Sequence, residues 1–182
     1  MIDSNWPMRW GEIFLLDSLI GNTDRHQNNW AIVWNSVAPH GDPRSLRVVV
    51  TSGLGKSTGN LAPAFDNGTS LGYEILERKI PQFMSDEKRL AAYVARGTHH
   101  MTWKLGDERL NHAELLILFS KEFPEVVSHL RAKLNFHADD LRSITRDLPT
   151  LQLSFPLSTQ RLEFMIKLIE TRKLKLLEAL QD

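Results

Sequence analysis

The sequence predicts an α+β chain that is mostly α, with one leading helix, a small β-hairpin and a helical subdomain. Three patterns predict it. Apolar residues recur at helical spacing up to Ile20, two short runs of β-formers lie between residues 30 and 51, and helical periodicity with cap signals runs from about residue 74 to the end. The length of 182 residues favours a single domain. Such a chain can bury ~70% of the surface that its unfolded form exposes.

Pro7 suits a first helical position. With Trp10, Ile13, Phe14, Leu16 and Ile20 it predicts an amphipathic helix over residues 7–20. Gly21 stands where a left-handed cap ends a helix. Residues 21–29, GNTDRHQNN, are polar or Gly throughout, which makes them a solvated turn or a site. Residues 30–34 (WAIVW) and 46–51 (LRVVVT) read as strands. Residues 35–45, with two prolines and a glycine, and residues 52–60, with three glycines, read as loops. Residues 61–65 lead into Asp66-Asn67-Gly68, a turn or a catalytic corner.

The remainder is read from its caps. Ser85-Asp86-Glu87 opens a helix through Val94, with Leu90 and Val94 inward, and Gly97 stops it. Asn111 opens another carrying Leu115, Leu116, Leu118 and Phe119. Pro124 opens a third with Val127, Leu130 and Leu134, and a short helix is expected near 138–146. Ser158 is a good N-cap for a long terminal helix. Its apolar stripe is Leu162, Met165, Ile166, Ile169, Leu176, Leu177 and Leu180. The change near residue 74 is one of element type, so residues 1–73 and 74–182 are expected to form one domain.

Composition excludes several classes. Hydrophobic residues make up 42% and charged residues 24%, ordinary for a soluble globular domain. The 22 Lys and Arg balance the 22 Asp and Glu, so no direct nucleic-acid binding is expected. The absence of Cys removes disulfides, thiolate zinc sites, iron–sulfur clusters and a Cys nucleophile. No apolar run approaches the ~18 residues of a membrane span. The start, MIDSNWPMRW, lacks the basic and apolar regions of a signal peptide. The expectation is a cytoplasmic protein.

The chemistry-bearing segment is Asp24-Arg25-His26-Gln27-Asn28-Asn29, followed by Asp66-Asn67-Gly68. Phosphoryl transfer needs a carboxylate near the acceptor hydroxyl and oxygen ligands for Mg²⁺, commonly an Asn and a second Asp. Protein kinases place Asp and Asn in one loop in D-x4-N spacing, then a short hairpin, then an Asp just before a Gly. Asp24 and Asn29 have that spacing, and Asp66 stands in the second position. The ordered set of helix, D-x4-N, hairpin, D-x-G and helical tail says more than any of its pieces.

With these residues in view, GNTDRHQNNWAIV and LAPAFDNGTSLG resemble the C-terminal domain of the HipA-like kinases, the toxin kinases of bacterial toxin–antitoxin modules. In that family an N-x-D-x-H-x-x-N loop precedes a Tyr/Phe-Asp motif. The resemblance covers residues 8–75 well and the helical remainder loosely. It implies a protein-kinase-like C-lobe, with Mg²⁺ and ATP as cofactors and a protein Ser/Thr hydroxyl as acceptor. It implies Asp24 as the catalytic base, His26 as a loop-orienting residue of the catalytic site, and Asn29 and Asp66 as the Mg²⁺ ligands that hold the nucleotide. A weaker likeness to phosphatidylinositol kinases rests on the D-R-x-x-x-N loop and the D-N-G corner. It keeps a lipid-kinase reading open.

One departure stands out. A kinase N-lobe brings a phosphate-covering loop and a strand Lys, yet the first lysine here is Lys56. The N-lobe is therefore expected from elsewhere, from a longer parent chain or from an N-lobe or antitoxin-type partner. A non-catalytic half-kinase is the remaining alternative.

Other motifs read blandly. Gly53-Leu54-Gly55-Lys56-Ser57-Thr58 is short of a P-loop, because Val50 stands where its first Gly belongs and no helix follows. His99, His100 and His112 have no thiolate partner for zinc and read as a helix end and turn. Four of the five tryptophans lie in residues 6–34 and are expected to pack the first helix against the hairpin.

Overall fold

The structure, a computed structural model, describes residues 5–36 and 57–181. Its order is α1 (Trp6–Ile20), β1 (Ile32–Ser36), β2 (Ser57–Leu61), α2 (Ile80–Ser85), α3 (Glu87–Arg96), α4 (His112–Glu122), α5 (Val127–Lys133), α6 (Ala138–Thr145) and α7 (Thr159–Ala179). Short 3₁₀ turns precede α2 and α5 and follow α6. This is the α+β, mostly helical architecture with a small hairpin that the sequence predicts.

Helix α1 starts with Pro7 in its first turn and stops at Gly21, whose φ of 68° is left-handed. It is less amphipathic than its spacing suggests. Gly11, Ile13, Phe14, Leu15, Asp17 and Ser18 are all buried, because α4, α5, α7 and β2 pack around it. A helix enclosed on several sides buries more than one stripe.

The hairpin corrects the expected strand pair. The antiparallel partner of β1 is β2, at residues 57–61, with Ile32 opposite Leu61 and Trp34 opposite Gly59. Residues 57–60 had been expected in a loop. The expected strand at 46–51 lies outside the described residues, as does Lys56. STGNL has weak β-propensity, but Gly59 suits its place. A Cβ there would come within 2.9 Å of Ile32 Cγ2 and 3.2 Å of the Trp34 ring.

The later helices follow their caps. Asp86 accepts from Arg89 N, and Ser158 accepts from Arg161 N. Asn111 and Glu114 form a reciprocal capping box. Two apolar clusters result. The larger joins Phe14 and Leu15 to Leu115, Leu116, Phe119, Leu130 and Leu176. The smaller joins Ile80, Leu90, Phe164 and Leu168. Helix α7 serves both, so its inward set differs from the expected single stripe: Phe164, Leu168 and Arg172 are buried, while Met165, Ile169 and Leu177 are only half-buried.

The tryptophans divide. Trp10 meets Trp30 edge-on at 5.3 Å, as expected of packing between helix and hairpin. Trp34 is 56% exposed, so the packing expectation fails there.

Candidate active site

Between α1 and β1 the chain makes the polar loop that the sequence singles out. Its organising residue is Arg25, which is fully buried. The guanidinium grips both oxygens of Asp17, by Nε at 2.9 Å and Nη2 at 2.7 Å. Nη1 donates to the carbonyls of Asn29 at 2.7 Å and Phe65 at 2.6 Å, and Nη2 donates to Asn67 Oδ1 at 2.6 Å. One side chain thus closes the loop 21–29 on itself and ties it to both neighbours of Asp66. A planar fork of five N–H donors suits this task, and a lysine could not do it.

Asp17 is buried with Arg25 and also meets His99 Nε2 at 3.1 Å. His99 Nδ1 accepts from Met101 N, so the ring proton sits on Nε2, facing the carboxylate. Burial alone would raise the Asp17 pKa, but hydrogen bonds from His99, Arg25 and Asn22 outweigh it and hold the carboxyl below its ordinary value. Asn22 adds a second stitch. Its Nδ2 donates to Asp17, and its Oδ1 accepts from Asp24 N at 3.1 Å and Thr69 Oγ1 at 2.9 Å.

The four sequence-predicted residues stand on this frame. Asn29 is buried, and its Nδ2 donates 2.7 Å to the Asp24 carbonyl. Its Oδ1 is therefore the atom left for a ligand. The Asp24 side chain is 43% exposed, with His26 Nε2 at 3.9 Å and His100 Nδ1 at 3.8 Å. His26 Nδ1 accepts from Asn28 N, which folds the loop tip and fits an orienting part. Asp66 is exposed, with a φ of 52°. A non-glycine residue in that region carries strain, which concentrates where backbone must present a side chain. The structure joins Asp24, His26 and Asn29 in one loop. Arg25 ties the residues on either side of Asp66, Phe65 and Asn67, to that loop.

The donor set suits Mg²⁺. That ion prefers oxygen, keeps several waters and takes one or two carboxylates plus phosphate oxygens. Among the described residues no group of three or more His, Cys, Asp or Glu side chains converges, and Asn29 and Asp66 are the oxygen donors that the sequence expectation offers such an ion.

Sequence reasoning quoted Arg25 and Asn67 inside the two motifs without assigning them a role, read His99 as part of a helix end and turn, and passed over Asp17. One signal was present: Asp17 and Ser18 interrupt the apolar run of α1 at positions the helix buries, and a buried carboxylate requires a cation.

No family model and no curated protein sequence matches the chain. Among solved structures it is similar to the crystal structure of a Helicobacter pylori proinflammatory kinase, CtkA, with a TM-score of 0.65 and 18% identity. The likeness covers 96% of this chain and 52% of that one, so the chain spans about half the kinase's length. The fold is kinase-like.

Proposed function

We propose that the chain is the catalytic-loop half of a kinase that transfers phosphate from Mg-ATP to a protein Ser or Thr hydroxyl, in the manner of the HipA-like enzymes its loop resembles. The observation that supports this most is the Arg25 guanidinium, which holds the D-x4-N loop against the D-N-G corner. Each motif alone is common; a buried arginine joining the two is not required by an ordinary turn.

In this reading Asp24 accepts a hydrogen bond from the acceptor hydroxyl, orients it and takes its proton as the new bond forms. Its partial exposure leaves room for the acceptor. His26 holds the loop tip in shape. Asn29 Oδ1 and Asp66 would hold Mg²⁺, which neutralises charge on the phosphates when bound. The N-lobe that grips the nucleotide would come from a longer parent chain or a partner.

The test is a phosphorylation assay on the complete two-lobe assembly. Asp24→Asn should lower turnover by ~10²–10⁴-fold, the usual worth of a positioned acid or base. Asn29→Ala and Asp66→Ala should also raise the Mg²⁺ concentration needed for half-maximal rate. A wild-type rate in Asp24→Asn would sink the assignment.

A further inference from the structure

The segment between α3 and α4 reaches the loop 21–29 through one side chain that the proposed reaction does not yet use. His100 Nδ1 lies 3.8 Å from Asp24 Oδ1. His26 stands on the other side of the same carboxylate, with Nε2 3.9 Å from Oδ2. The two rings meet edge-on at 5.7 Å. The proposed base is thus bracketed by two imidazoles, one from its own loop and one from a distant segment.

Buried bonds set this placement. Asp17 is fully buried, and its two oxygens hold Arg25 and His99. These are the chain neighbours of Asp24 and His100, so one carboxylate anchors both segments. The backbone around His100 is pinned further. His99 N donates to the Leu110 carbonyl at 3.0 Å, Met101 N donates to His99 Nδ1 at 3.0 Å, and Thr98 pairs with Asn111.

The two rings differ in what they offer Asp24. His26 Nδ1 accepts from Asn28 N at 3.1 Å, so its neutral ring carries the proton on Nε2, on the side of Oδ2. Among the described residues no hydrogen bond reaches His100 Nδ1, which leaves that nitrogen able to accept. Burial and the Arg109 charge hold the His100 ring below its ordinary 6.5; His26 and His99 act in the same direction, and Asp24 acts against them. At neutral pH the ring is therefore uncharged. Its side chain is 33% exposed, which gives a proton a way out to water.

We propose that His100 is a positioning residue for the transfer step, acting through Asp24: it faces Oδ1 and takes over the proton that Asp24 lifts from the acceptor. The inference rests on the kinase reading above. The acceptor O–H bond breaks as its new O–P bond forms, and the bond from the γ-phosphorus to the leaving oxygen breaks. The proton goes to Asp24 Oδ1, passes to His100 Nδ1 and leaves to water from the imidazolium, so Asp24 is returned as a carboxylate. An ordinary imidazole binds a proton more tightly than an ordinary carboxylate, at about 6.5 against 3.9, which sets the direction. The gap has to close by about 1 Å to reach a hydrogen bond; catalytic bonds are often long without substrate and tighten when it binds.

The test measures turnover of the complete two-lobe assembly with Mg-ATP and a Ser/Thr peptide. His100→Ala should lower kcat by about tenfold or more, short of the ~10²–10⁴-fold expected at Asp24, with the KM for ATP unchanged. His100→Asn, polar but without a base, should match it. Added imidazole should restore much of the His100→Ala rate, which a merely structural defect would not allow. The parent's kcat should fall with acid at a pH below 6.5, where His100 takes up its charge, and this limb should be missing from both variants. A readout free of activity is NMR of the full chain, in which the His100 ring should become harder to protonate in Asp24→Asn. Parent-like kcat in both variants, a low rate that imidazole leaves unmoved, or an unchanged His100 titration in Asp24→Asn would overturn the proposal. Any of these with Asp24→Asn inactive leaves the kinase reading standing; a wild-type rate in Asp24→Asn removes both.

Discussion

At the scale of single residues, the Asp17–Arg25 pair decides whether the loop keeps its shape. Both side chains are completely buried. Removing one partner of such a pair leaves an uncompensated charge, which costs about 3–5 kcal/mol. Arg25→Ala is therefore expected to lower unfolding free energy by that amount in a urea titration, and Arg25→Lys to recover only part of it. A change under about 1 kcal/mol would mean that water replaces the guanidinium. The pair also predicts a pH dependence. The ordinary value of the Asp17 carboxyl is 3.8 and the folded one is lower. Between the two, the unfolded chain binds more protons, so stability rises with pH. This contribution is complete above the ordinary carboxylate range and is lost as pH falls through it toward the folded value. Urea midpoints measured down this range should fall more steeply for the parent than for Asp17→Asn. Parallel curves would remove Asp17 from the acid-sensitive groups.

At the scale of elements, the caps carry predictable energies. Gly21 is left-handed, and a Cβ on it would fall inside the Arg172 guanidinium. Gly21→Ala combines a backbone penalty of roughly 1 kcal/mol with displacement of a buried cation, so a loss of about 2 kcal/mol or more is expected from thermal unfolding. Asn111→Ala removes one side of the α4 capping box and should cost about 1 kcal/mol. These positions explain what could be read in advance. Gly21, Asp86, Asn111 and Ser158 are local signals, since a cap is decided within a few residues, and the helices they bound were legible from sequence. Strand β2 was not. Its residues are poor β-formers, and its partner sits more than twenty residues earlier, so pairing across a distance overrode propensity. Helix α2 spans only six residues, too few for a period to emerge. The candidate site was legible in part for the same reason. Asp24, His26, Asn29 and Asp66 lie in two short motifs. The frame that joins them links residues 17, 25, 67 and 99, and no local spacing encodes it.

At the scale of the whole molecule, the apolar surface on the hairpin side stands out. Trp34 is 56% exposed; it packs over Gly59 with Ile32, and Trp6, Trp10, Trp30 and Ile32 line a hollow of about 340 Å³ there. Phe65, 40% exposed, directly precedes Asp66, so a further exposed ring lies next to a proposed metal ligand. In a kinase the nucleotide lies between two lobes, and the N-lobe supplies the Lys and the covering loop. The chain spans 52% of the kinase it resembles in fold. Among the described residues, nothing stands over the proposed Mg²⁺ ligands as a second wall for the adenine. A base resting on an open apolar surface loses little water contact, so the hydrophobic gain is small. Phosphates held through one cation, without the clamping Lys that a kinase N-lobe supplies, remain largely hydrated. The 182-residue chain alone should therefore bind Mg-ATP no tighter than roughly millimolar, about −4 kcal/mol. A parent chain or complex that supplies the N-lobe should bind in the micromolar range, about −8 kcal/mol. Calorimetry on both preparations measures the difference. Micromolar binding by the chain alone, or phosphorylation of a generic acceptor by it, would show that this half forms a complete site by itself.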